Sequence, residues 1–85
     1  MIDAQMAKRI GRGRTIALSY MAMTGLGPED GLDTAVVDCI ADLLHAAVNE
    51  PFERAGLGVD DKCALADKLN DQAYGHFEAE LREEG

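Results

Sequence analysis

The chain has no tryptophan and only four aromatic residues, Tyr20, Phe52, Tyr74 and Phe77. A core built on stacked rings is excluded, and packing has to rest on Leu, Ile, Val, Met and Ala. Cysteine is limited to Cys39 and Cys63, in neither a CxxC nor a zinc-finger spacing, which excludes a disulfide framework and leaves buried reduced thiols as the expectation. No apolar run approaches the roughly 20 residues of a membrane span, none precedes the N-terminal basic cluster, and no secretory signal is expected. A cytoplasmic protein without membrane contact is expected. Bases are also scarce: eight Lys and Arg against sixteen Asp and Glu give a net charge of −8. Such a balance repels nucleic acid and anionic lipid and favours basic protein partners.

What is present is helical periodicity. In DTAVVDCIADLLHAAVN, residues 33–49, the apolar residues Val36, Val37, Ile40, Leu43, Leu44, Ala47 and Val48 fall within about 140° of a helix surface. Asp38, Asp42, His45 and Asn49 occupy the opposite side, with Asp33 as the expected N-cap. The spacing predicts further helices over about residues 3–10, 14–24 and 60–83. The first begins with Ile2, Met6 and Ile10, and a break is expected at Gly11 and Gly13 because each costs roughly 1 kcal/mol inside a helix. From Arg14 onward both Leu18, Met21, Ala22 and Ile16, Tyr20, Met23 form apolar faces; the second predicts a homodimer contact. Alternation of Ile16, Leu18 and Tyr20 also permits a strand, though one with nothing to pair. GLGPEDG and the Pro51 region read as loops, the latter with a helical turn anchored by Phe52. Residues 1–85 are thus expected to form one all-α domain, a small bundle of three principal helices joined by Gly and Pro loops.

Three groups of residues carry candidate chemistry. DxxxDxxH puts Asp38, Asp42 and His45 on one face, and His76 and Glu80 stand one turn apart on the last helix. Asp42, His45, His76 and Glu80 together suggest a metal-dependent hydrolase in outline. Asp38 and His45 point away from the apolar face of their own helix, however, and the established di-iron pattern of ExxH on two helices is missing. No metal or cofactor is expected. Lys8, Arg9, Arg12 and Arg14, opposed by Asp3 alone, give residues 1–15 a charge of +3 against −11 for the remainder. That segment offers a small DNA-binding regulator as an alternative, but it has no interleaved aromatics and no phosphate-cradling GxGxxG or GxxxxGK[ST]. The third group is acidic. Asp67, Asp71 and Glu78 line the outer face of the last helix as Asp38 and Asp42 line that of the central one.

DTAVVDCIADLLHAA followed by HFEAEL resembles small acidic helical proteins of phages and mobile elements, in which a D..(L/I).DL.H helix precedes an H(F/Y)..E helix. The residues that carry the resemblance are Asp38, Ile40, Asp42, Leu43, His45, His76, Phe77 and Glu80, within residues 34–81. It implies a helical bundle and a mobile-element origin, and by analogy of size and charge an anti-CRISPR protein. The expectation is therefore a non-enzymatic inhibitor that covers a basic surface of a CRISPR effector or similar complex. Its partner-binding residues would be Asp38, Asp42, His45, Asp67, Asp71 and Glu78, and it would not bind nucleic acid directly.

Overall fold

The structure is a computed structural model and describes residues 3–84; Ile2, expected on the first apolar turn, lies outside them. All regular structure among the described residues is helical. The order is α1 (Ala4–Thr24), a 3-10 turn (Pro28–Asp30), α2 (Gly31–Asn49), the short α3 (Phe52–Ala55) and α4 (Val59–Glu84). The chain divides into two compact units, one reaching Ile40 and including Glu84, the other Ala41–Glu83.

In the first unit, α1 runs without interruption through Gly11 and Gly13, so the expected break is absent and the strand alternative for residues 15–23 falls. Its ends explain how two glycines are tolerated. The Asp3 side chain caps the start, accepting the Met6 N–H at 2.8 Å. At the far end Gly25 adopts φ 78°, and the Leu26 N–H donates to the Met21 carbonyl at 3.0 Å, closing the last turn. The Thr24 hydroxyl donates to the Tyr20 carbonyl at 2.8 Å, within the same last turn.

The buried residues of this unit are Ala17 and Tyr20 on α1 and Ala35 on α2. Tyr20 is only 8% exposed, while Ile16 and Met23 are largely solvent-facing, so the expected dimer face of Ile16, Tyr20 and Met23 does not exist as one surface. Its aromatic member is buried, and burying a side chain of that size contributes about 2–3 kcal/mol. Between the helices the Gly27 N–H donates to Asp30 Oδ2 at 2.8 Å, and α2 starts at Gly31, whose φ of 82° with ψ 156° only glycine adopts readily. Asp33 is consequently not the cap but a first-turn residue, where its charge still complements the helix dipole.

In the second unit Val48 of α2 is buried, and Leu44 and Ala47 are half-buried. Arg54 of α3 closes the C-terminal end of α2, its Nη1 donating to the Ala47 carbonyl at 2.9 Å. Phe52, expected to anchor this turn, is 95% exposed and anchors nothing; the guanidinium does it instead. α4 opens with Asp60 and Asp61 in its first turn and carries Arg82 in its last, both favourable to the dipole. Leu65, Ala66 and Leu69 are half-buried, whereas every residue from Asp71 to Ala79 is exposed.

Two further expectations change. Neither thiol is buried: Cys39 is half-buried, Cys63 is exposed, and both are free. The apolar sector of α2 is only partly covered, with Val37 and Leu43 both more than half exposed. Ala35, at 0% exposure, lies instead on the flank nearer Asp38.

Candidate functional site

Asp38, Asp42 and His45 follow one another along α2 within about 60° of its surface, roughly one turn apart. All three side chains are exposed, Asp38 in the first unit, Asp42 and His45 in the second. On α4 the residues Asp67, Asp71 and Glu78 fall within about 40° of one another and are likewise exposed. Carboxylates so exposed can be met by Lys or Arg of another molecule. Glu78 already has a neighbour, since Arg82 Nε lies 3.7 Å from its Oε1. That exposed i, i+4 pair contributes a few tenths of a kcal/mol and locally offsets the row's charge.

The possible metal ligands do not converge. Among the described residues no group of three or more His, Cys, Asp or Glu side chains is placed to hold an ion, so Asp42, His45, His76 and Glu80 form no such cluster. His76 is exposed on the uncovered half of α4. Of the basic segment, Lys8, Arg12 and Arg14 are exposed along α1 and Arg9 is half-buried.

The second unit also contains a groove of about 360 Å³ between α2 and α4. Ala41, Leu44 and Val48 from α2 and Val59 and Ala66 from α4 give it an apolar lining, with His45, Asn49, Lys62 and Cys63 as its polar members. Lys62 Nζ donates to Asn49 Oδ1 at 2.7 Å, and Asn49 Nδ2 donates to the His45 carbonyl at 2.8 Å. This relay joins the C-terminal turn of α2 to the first turns of α4. His45 therefore differs from Asp38 and Asp42: it borders a concavity rather than a plain outward face. Sequence reasoning missed the groove because its two walls are separated by the turn at Pro51, and nothing in the spacing of Asn49 and Lys62 announces that they meet.

With this geometry in hand, comparison with known proteins returns nothing: no family model, curated protein or solved structure matches the chain. No described helix is long and apolar enough to cross a membrane.

Proposed function

We propose that this chain is a small helical interaction protein, non-enzymatic and cytoplasmic, that inhibits a nucleic-acid-binding complex by covering its basic surface, as anti-CRISPR proteins of phages do. The observation that carries this reading is that Asp38, Asp42, His45, Asp67, Asp71 and Glu78 are all solvent-exposed, in a chain of net charge −8. Carboxylates at i and i+4 advance about 6 Å along a helix, whereas phosphates of one strand advance about 3.4 Å along a duplex. The likeness to nucleic acid is thus one of charge, and it acts chiefly on association rate and salt dependence.

The test is binding to purified CRISPR effector complexes across a salt series, with the complex's capture of target DNA as the readout. The wild-type chain should compete with DNA, and affinity should fall with rising salt. Asp38→Lys with Asp42→Lys, and separately Asp67→Lys with Asp71→Lys, should slow association at least tenfold. Binding indifferent both to salt and to these reversals would end the proposal.

A further inference from the structure

α4 carries an apolar seam distinct from the side on which Leu65 and Leu69 are half-buried. Val59, Cys63, Ala66, Asn70, Ala73 and Phe77 follow at alternating steps of four and three, and Leu81 extends the line. On a helix these residues occupy about 80° of surface over about 33 Å of length, the pattern of a helix that pairs with another helix. Apart from half-buried Ala66 all are exposed, including Val59 at 77% and Phe77 at 56%. The two halves of the seam differ in shape. Its N-terminal half forms one wall of the groove, through Val59, Cys63 and Ala66. Its C-terminal half projects Phe77 beside Tyr74, ring centroids 6.0 Å apart, from a stretch exposed throughout residues 71–79. A recess and the knobs to fill it therefore lie on one helix, either side of Asn70.

We infer that the chain forms a two-fold symmetric dimer through α4, with the paired helices antiparallel and Asn70 on the axis. In that register Phe77 of one copy stands opposite Cys63 of the other and Leu81 opposite Val59, with Tyr74 on the flank of the seam away from the groove, and the same contacts recur across the axis. Phe77 of each copy stands at the mouth of the other's groove, and the two Asn70 amides meet in the middle of the seam, where a buried Asn fixes register. Charge does not oppose this arrangement. Asp67, Asp71 and Glu78 lie about 80–120° round the helix from the middle of the seam, on its flank, while Lys62 falls beside Glu80 of the second copy. A parallel pairing would instead set Phe77 against Phe77 and the two grooves against each other, leaving both unfilled. The exposed parts of Val59, Tyr74, Phe77 and Leu81 amount to about 450 Å² per copy, and Cys63, Ala66 and the groove wall add to that. The total comes into the range of roughly 1,200–2,000 Å² typical of stable pairs.

The test begins with light scattering of the whole chain at tens of micromolar. The expected mass is twice the 9.1 kDa of one chain. Phe77→Asp should raise the dissociation constant a hundredfold or more and give the single-chain mass with an unchanged far-ultraviolet circular dichroism spectrum, because Phe77 is not part of its own unit's core. Orientation is read by mild oxidation in a Cys39→Ser background. Asn70→Cys combined with Cys63→Ser should link into a covalent dimer, whereas Cys63 alone should not, since antiparallel pairing holds the two Cys63 residues about 21 Å apart. A wild-type chain at single-chain mass, ready linkage through Cys63, or failure of Asn70→Cys to link would each overturn the inference.

Discussion

Replacing Gly11 and Gly13 by Ala provides the most direct check on α1. The sequence argues for a break at these positions, yet the helix continues through them. Both glycines have negative φ, and a Cβ added at either would meet no atom within 4 Å. Nothing steric then opposes Ala, and the whole difference between the residues is the backbone entropy that glycine loses, about 1 kcal/mol at an exposed helix-interior site. Residues two apart do not face each other on a helix, so the two effects should add to about 2 kcal/mol. For a chain of this size that corresponds to a rise in Tm of about 8–16 °C. Thermal melts followed by circular dichroism at 222 nm measure it, with Gly25→Ala as a control of opposite sign, because φ 78° there costs an L-residue about 1–2 kcal/mol. An unchanged or lowered Tm for the Gly11→Ala, Gly13→Ala double variant would mean that α1 is broken at these residues and that the reasoning fails.

Arg54→Ala removes the donor to the Ala47 carbonyl and should cost about 1.5–3 kcal/mol in urea unfolding, while Phe52→Ala, at an almost wholly exposed site, should stay within about 0.5 kcal/mol. Tyr20→Ala should lose about 3–5 kcal/mol, enough to unfold the first unit at room temperature; retention of full helicity would show that Tyr20 is not a core residue. Manganese or zinc in tenfold excess should leave Tm unchanged, as no three ligands converge among the described residues; a dose-dependent rise would revive a metal site.

Helical class and approximate extents were legible in the sequence because they depend on local periodicity. The exposure of Asp38, Asp42, Asp67, Asp71 and Glu78 was legible for the same reason: charged residues opposite an apolar stripe face water wherever the stripe goes. What escaped depends on contacts distant in sequence. The continuity of α1 at Gly11 and Gly13 is a case in which about 2 kcal/mol of local cost is outweighed by the capping and packing of a whole helix. Phe52 and Arg54 exchanged roles because hydrophobicity suggested the aromatic as anchor, whereas the unfilled need in that region was electrostatic, a helix C-terminus with open carbonyls. The burial of Ala35 and exposure of Leu43 reflect which flank of α2 each neighbouring element takes, and a one-dimensional pattern holds no record of that.

Buried side chains are few among the described residues: Ala17, Tyr20, Ala35 and Val48, two of them alanines. A fold that rests on so few enclosed positions constrains its own descent only lightly. Most residues need only remain apolar or remain charged, and few substitutions create a cavity or a clash. Mutational scanning for folding alone should therefore find intolerance concentrated at these four sites and at Gly25, Gly31 and Arg54. The remaining surface is free to change as quickly as whatever molecule it meets.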